Sequence, residues 1–490
     1  MEKISITNFK AIEKADIEIK NLTVFIGEQA SGKSTIAKLV YFFKTLPEQI
    51  LDFIVNELSY YPFIDKNITK ENWEKVIIDR KLRDYLRIIT SIEGDMSDLH
   101  CSIIYTYPTN KKLTVAKKDD AVIEHNFQEF LDFASKEIGV FLDKNLKLQK
   151  EFPISVERFR SDIISQQEIR EFAKPLTWLI EDFFWGKEIK QSLFVPASRN
   201  ATVMLQDILS AKFIKEKSNR NYTRYYEANL YFIEQFIEYS AYLVSDFRVA
   251  GSFNGLANLT YFDNEYLCNK FIEKLEKVIK GKYGVNEQGE FIMYGKNGLY
   301  DFSNPPVISN QREYLVNASS GQQEVIRLFQ DLFVLLVKST NAFRVYEEPE
   351  AHLFPAAQQR IVETIAMLIN HNPAHQFLIT THSPYFIAAI DVLLEANEAY
   401  QQRISGKNIT QKQAIENEIA AIVPKSEWLD FEKVMVYSLE QNPETGKYIA
   451  KTAMRENRGV RAEIIDKVSE DIDSTYSQLL DIHYKEDDNE

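Results

Sequence analysis

Cysteine is almost absent. Cys101 and Cys268 are the only two in 490 residues, and without a paired spacing they support neither a disulfide framework nor a thiolate zinc site. The seven histidines make no zinc-ligand or HNH-like cluster along the chain. No apolar run approaches the roughly 20 residues needed to cross a bilayer, which argues against a transporter carrying its own membrane domain. The chain opens on a strand pattern rather than a basic-then-apolar leader. Together these absences give the expectation of a cytoplasmic protein with no membrane partner. Apolar heptads never persist long enough for a coiled-coil arm. Cations are also in deficit, 58 Lys and Arg against 72 Asp and Glu for a formal charge of −14, so duplex nucleic acid is repelled unless cations gather locally. One stretch, 212–226, interleaves Lys212, Lys215, Lys217, Arg220 and Arg224 with Phe213, Tyr222, Tyr225 and Tyr226. It reads either as a solvated helix and loop or as a DNA contact.

What is present is ordinary for a soluble globular chain, 45% hydrophobic and 27% charged, at a length too great for one simple core. Its most informative segment is Gly27-Glu28-Gln29-Ala30-Ser31-Gly32-Lys33-Ser34-Thr35, a complete phosphate loop. An apolar strand, 22–26, precedes it and a helix-forming run follows. Gly27 and Gly32 let backbone N–H groups turn inward around phosphates. Lys33 supplies a point charge, and the Ser34 hydroxyl can ligate the Mg²⁺ that accompanies ATP.

Downstream, the strand ending Val345-Tyr346-Glu347-Glu348-Pro349-Glu350 carries paired carboxylates. Hydrolysis of a phosphoanhydride needs one carboxylate on the metal's water shell and one orienting the attacking water. Glu347 fits the first task and Glu348 the second, although a solvated turn would also carry such a pair. A second apolar strand ends at Thr381-His382-Ser383-Pro384, where His382 can donate to a γ-phosphate. Between the phosphate loop and the carboxylate strand, Ser319-Ser320-Gly321-Gln322 opens an amphipathic helix. By itself it reads as an ordinary Ser cap or as an anion-binding N-terminus.

The order of these motifs resembles the ATP-binding-cassette class, in the branch of SMC-like and RecF-like heads. The wording is most similar to ATPases of the overcoming-lysogenization-defect (OLD) type and their phage-defence relatives. The matching pieces are 4–10 ending in Lys10, the phosphate loop, 194–199 ending in Arg199, the Ser-Ser-Gly-Gln signature, 347–353 and 381–384. They cover the ATPase core and not what is inserted in it. Two positions depart from the pattern: Glu347 replaces the usual aspartate, and Ser320 stands where transporters have glycine. The resemblance implies an α/β fold, an ABC-ATPase head with a β-rich N-terminal lobe and a RecA-like core. It further implies that Ser319, Ser320, Gly321 and Gln322 act in trans on the γ-phosphate held by a second copy. Lys10 and Arg199 become candidates for nucleotide or partner contact, with a structural salt bridge as the other reading of Arg199.

Along the chain, expected core segments at 1–44, 191–210 and 286–395 alternate with mostly helical insertions at 45–190 and 211–285. The first insertion is dense in Phe, Ile, Leu, Glu and Lys, with helical spacing at 73–91 and 127–142 and one strand at 99–107. In the second, 231–247 reads as helix. A hairpin is expected at 290–294 and 299–302, with its turn at 295–298. A small α+β region, 396–490, closes the chain, with a hairpin at 434–439 and 447–453. OLD-type nucleases carry a Toprim domain there. Glu440 and Asp471-Ile472-Asp473 are the only carboxylates placed to serve it, and the aspartates lie on the polar side of a helical pattern, so no intrinsic nuclease is expected. The resulting expectation is an Mg²⁺-dependent ATPase that self-associates and, as the resemblance implies for PARIS-type and Septu-type subunits, controls a separate nuclease or toxin in anti-phage defence, with DNA or a phage protein as trigger. The alternative is a RecF- or SMC-like repair ATPase that clamps DNA directly.

Overall fold

Three strands open the chain where alternating apolar residues placed them, β1 (Lys3–Phe9), β2 (Ile12–Glu18) and β3 (Leu22–Gly27). The computed structural model describes residues 1–52, 101–117, 121–126, 181–186, 190–197, 228–294, 312–338, 340–455 and 459–460, with the single positions 132, 174 and 177. After β3 come α1 (Lys33–Asp52), β4 (Cys101–Thr106), β5 (Lys112–Lys117), β6 (Ala121–His125), a π-helical turn (Glu181–Trp185) and β7 (Gln191–Val195). Next are α2 (Ala228–Ala250), α3 (Phe253–Leu259), α4 (Glu265–Ile279), β8 (Lys282–Asn286), β9 (Gly289–Met293), β10 (Arg312–Tyr314) and α5 (Ser320–Val337). The chain continues through β11 (Ala342–Glu347), α6 (Pro355–His371), β12 (Gln376–Thr381), α7 (Pro384–Arg403), α8 (Ile409–Ala420), β13 (Val434–Gln441) and β14 (Tyr448–Thr452).

Eleven strands form one mixed sheet in the order β6-β5-β4-β1-β2-β14-β13-β3-β12-β11-β7. From β13 to β7 all neighbours are parallel, and α6 makes the β11-to-β12 crossover. Parallel strands must be covered on both faces, and β3 is. Leu22, Val24 and Ile26 join a core with α2–α7, while Phe25 joins the opposite core with α1 and the N-terminal strands.

Several expectations are corrected. Within 45–190 the one expected strand is joined by two more, because β4 is followed by β5 and β6 as an antiparallel meander that extends the sheet beyond β1. The segment 73–91 lies outside the described residues, as does 127–142 apart from position 132. Residues 290–294 do form a strand, but β9 pairs back onto β8 and, at its other edge, onto β10; 295–302 lie outside the described residues. The hairpin β13–β14 is no appendage of a separate C-terminal region. It enters the main sheet between β2 and β3. Residues 471–473 and 203–227 lie outside the described residues. No helix among the described residues is long and apolar enough to cross a membrane.

Every residue of α5 from Gln323 to Val337 is buried, so its polar side chains need internal partners. Arg327 makes a bidentate pair with Glu290, 2.6 Å at each nitrogen. Asp331 receives Nε of Arg344 at 3.1 and 3.0 Å, the Tyr239 hydroxyl at 2.6 Å and the Tyr346 hydroxyl at 2.7 Å. Arg344 and Asp331 are both fully buried. Removing the carboxylate leaves a buried guanidinium uncompensated, so Asp331→Ala is expected to lower stability by about 3–5 kcal/mol in denaturant unfolding. A loss below about 1 kcal/mol, the scale of an exposed pair, would contradict this account of the core.

Candidate active site at the ends of neighbouring strands

Register brings the sequence motifs together. Gly27 is level with Leu439, Thr381 with Ile26, and Glu347 with Thr380, so the phosphate loop, the histidine turn and the paired carboxylates leave the sheet side by side. Gly27 has no room for a side chain: a Cβ there would lie 3.0 Å from the Leu439 carbonyl oxygen. Gly32 takes φ +101°, and a Cβ would meet Ile12 at 2.9 Å. The β1–β2 turn therefore lies over the loop. Lys10, at φ +51° in that turn, has its pKa lowered by burial and by Lys38. Arg199 lies outside the described residues.

Lys33 begins α1 and folds its ammonium back onto the loop, donating to the carbonyls of Gly27 at 2.8 Å and Glu28 at 2.7 Å. Burial lowers its pKa to about 8, against the raising influence of Glu348, Glu350 and Glu28. Its Nζ is 3.5 Å from His382 Nδ1, and His382 Nε2 is 3.1 Å from Glu348 Oε1. With the lysine donating to Nδ1, the imidazole proton sits on Nε2 and faces the carboxylate, a tautomer assigned from its neighbours. Glu348 holds φ +45°, a left-handed conformation costly for a side chain of its size, and its N–H is fixed to the Thr380 carbonyl at 2.8 Å.

Glu347 is buried. Burial pushes its pKa up, while Lys38 and hydrogen bonds from the Ser34 side chain and the Ala197 N–H act the other way. The Ser34 hydroxyl and the Glu347 carboxylate are thus two hard oxygen donors in contact at the loop. Among the described residues no group of three or more His, Cys, Asp and Glu side chains could form a metal cage. A pair of oxygens fits Mg²⁺ that arrives with phosphates, since that ion keeps much of its shell as phosphate oxygen and water.

Sequence reasoning missed Glu350. Its buried Oε1 accepts from the Thr381 hydroxyl at 2.6 Å and the His382 N–H at 2.8 Å, which ties the carboxylate turn to the histidine turn. A third carboxylate in the Glu-Glu-Pro-Glu run was the available signal. Ser319 forms a capping box with Gln322, whose Oε1 accepts the Ser319 N–H at 3.3 Å. Gln322 Nε2 reaches the Ile279 carbonyl at 2.9 Å and the Tyr294 hydroxyl at 3.0 Å. A Cβ on Gly321 would lie 2.6 Å from the His352 carbonyl oxygen, and His352 Nδ1 is 3.1 Å from Glu324 Oε1. The signature helix therefore rests on the turn that follows Glu350. Ser319 and Ser320 face outward.

Lys33 gives a pH signature. Above about pH 8 the free protein holds this amine neutral, whereas phosphates favour its charged form, so ATP binding there must take up a proton. Affinity is expected to fall by up to about tenfold per pH unit above that point, with matching proton uptake by calorimetry in buffers of different ionisation heat. Flat affinity between about pH 7 and about pH 9 would contradict the assignment.

A family model described as an AAA ATPase domain matches residues 1–387, a span that contains the phosphate loop, the signature, Glu347, Glu348 and His382. No curated protein matches the chain. Among solved structures, an SMC head bound to the C-winged helix domain of ScpA aligns over 92% of this chain and 97% of its own, at 14% identity and a TM-score of 0.33. The SMC head domain from Thermotoga maritima aligns over 93% and 99%, at 9% and 0.33. An SMC head domain with an extended coiled coil, bound to the C-terminal domain of ScpA and derived from Pyrococcus furiosus, aligns over 96% and 98%, at 14% and 0.34. Overlays this loose add nothing to the assignment. On the family match, the chain belongs to the AAA ATPase domain family.

Proposed function

We propose that the chain is an ATP-hydrolysing subunit whose sites are completed by a second copy, and that it controls a separately encoded nuclease or toxin in an anti-phage defence complex. The observation that carries the ATPase reading is the contact series Lys33–His382–Glu348 beside the Ser34–Glu347 pair. Backbone N–H groups of 27–35 cradle the phosphates and Lys33 moves from the loop carbonyls onto them. Ser34 and, through water, Glu347 would hold a magnesium ion, which when bound would supply positive charge beside the phosphate oxygens. Glu348 orients the attacking water. His382 stays hydrogen-bonded to Glu348 through Nε2, and Glu350 fixes its backbone.

Self-association is supported by exposed apolar residues next to these motifs. Val316 precedes the signature, Phe354 follows the carboxylate turn and Tyr385 follows the histidine turn, at 59%, 79% and 57% exposure. In the closed assembly Ser319, Gly321 and Gln322 approach the γ-phosphate bound to the partner. Control of a separate effector is supported by the motif resemblance and by the setting of Glu440. That carboxylate sits on β13 of the ATPase sheet and pairs with Lys451 at 2.7 Å, not at a strand end of a separate metal-binding domain. A DNA clamp would draw on 212–226, which lies outside the described residues.

Mixing two inactive variants tests the composite site. Lys33→Ala loses its own phosphate loop, and Ser319→Arg blocks its neighbour's site. In a freely exchanging mixture up to about half the dimers carry one site with an intact loop from one subunit and an intact signature from the other, so ATPase activity is expected to reappear. With exchange verified, a mixture no more active than its components would overturn the composite, independently working site.

A further inference from the structure

A concavity of about 340 Å³ opens between α4, α6, α7 and the turn that follows α8, and none of its lining residues belongs to the nucleotide motifs. Helix α4 gives it one face, Lys270, Glu273, Lys274 and Lys277, at the spacing that aligns side chains along a helix. The N-terminal half of α6 adds Gln359, Arg360 and Glu363. Val392 and Leu393 of α7 and the turn residues Ile422, Val423 and Pro424 make an apolar wall, with Glu427 behind it.

Hydrogen bonding divides the charged side chains into a floor and a rim. On the floor, Lys274 is 9% exposed and lies 2.5 Å from Glu363 and 2.8 Å from Glu427, which are 6% and 3% exposed. Glu363 is saturated further by Gln359 Nε2 at 2.9 Å and by Arg360 Nη1 at 3.1 and 2.9 Å. The rim cations reach solvent: the side chains of Lys270, Lys277 and Arg360 are 38%, 56% and 33% exposed. Glu273 takes one bond from each lysine, at 3.2 and 2.6 Å, on separate oxygens. Each of those lysines still has N–H groups to give, as does Arg360 through Nε and Nη2. No carboxylate of the hollow is left without a cation, whereas accessible donors are in surplus. In a chain of formal charge −14 this is a local exception, and it suits an anionic ligand.

The apolar wall continues onto the surface, where Ile422 is 81% and Val392 50% exposed. Apolar residues bordered by a charged rim have the anatomy of a protein docking site. The hollow is also connected to the ATPase motifs. Helix α4 ends at Ile279, whose carbonyl accepts from Gln322 Nε2 of the signature at 2.9 Å, and α6 begins directly after the carboxylate turn, 348–354.

We propose that this hollow docks an acidic segment of a partner protein, with one apolar side chain against Ile422 and Val392 and flanking carboxylates on Lys270, Lys277 and Arg360. It deepens the effector-control reading, and rests on it for the existence of a partner.

The peptide acetyl-Glu-Leu-Glu-amide is the probe, titrated against the full chain by calorimetry and ligand-observed NMR. Saturable binding is expected with Kd below about 1 mM, weakening as salt is raised. Acetyl-Lys-Leu-Lys-amide and acetyl-Glu-Gly-Glu-amide should each bind about fivefold more weakly or worse. Lys277→Glu and Ile422→Asp change exposed side chains and should weaken the probe to a similar degree, with ATP affinity as the folding control. Lys33→Ala should leave probe binding intact. No saturable binding at millimolar probe, equal binding of either control peptide, or indifference to both substitutions would overturn the proposal. Self-association reversed by the probe would make a second copy the occupant, and tighter probe binding after removal of 484–490 would make it the chain's own acidic end; either result overturns the partner. Failure of the composite ATPase site shows instead in the mixing of inactive variants, which uses no peptide, just as this titration uses no ATP.

Discussion

The backbone register of β3 between β12 and β13 is the constraint on which everything else depends. β3, β12 and the neighbouring β11 each contribute one chemical end, and hydrogen bonding fixes how far each end projects. Gly27 level with Leu439, Thr381 with Ile26, and Glu347 with Thr380 put the lysine, the histidine and the carboxylates within one hydrogen-bonded group. A slip of one residue would turn every side chain of the slipped strand to the opposite face. It would exchange the buried Glu347 with the outward Glu348. The close fit of Gly27 against Leu439 locks the same register from the other side.

A second layer of constraint comes from α5. A helix buried on all sides can keep Glu324, Arg327 and Asp331 only if each is answered from a neighbouring element, and each is answered from a different one. Arg327 is held by β9, Asp331 by α2 and β11, and Glu324 by His352 in the turn beyond the carboxylates. The N-terminus of α5 is thereby tied to the same turn that Glu350 ties to His382. One short segment, 348–354, touches both the histidine of its own site and the N-terminus of the signature helix, where Ser319 and Ser320 face outward. Movement of either end has a direct mechanical path to the other.

Local chemistry was the legible part of the sequence. The phosphate loop needs its residues consecutively, Glu347 and Glu348 are adjacent, and Ser319 with Gln322 makes a cap within one helical turn. Each can be read from neighbours in the chain, as can β1, β2, β3 and the α6 crossover. What was missed depends on distant partners. β5 becomes a strand on the edge of β4, and β6 on the edge that β5 then offers. The insertion of β13–β14 between strands adjacent in sequence has no local signal at all. The role of Glu350 emerges only when β11 and β12 stand side by side, and the partners of β9 are Lys282–Asn286 on one edge and Arg312–Tyr314 on the other. Arg199 and the cationic stretch 212–226 stay as sequence expectations.

In the proposed reaction Glu348 acts on water, and ATP binding is left to the phosphate loop, Ser34 and Glu347. Steady-state turnover of Glu348→Gln, measured alongside its ATP affinity, separates those tasks, because the amide preserves shape while losing the carboxylate's charge and basicity. Turnover is predicted to fall about 100-fold or more with ATP affinity retained. Turnover at the parental rate, or loss of ATP affinity comparable with that of Lys33→Ala, would contradict it.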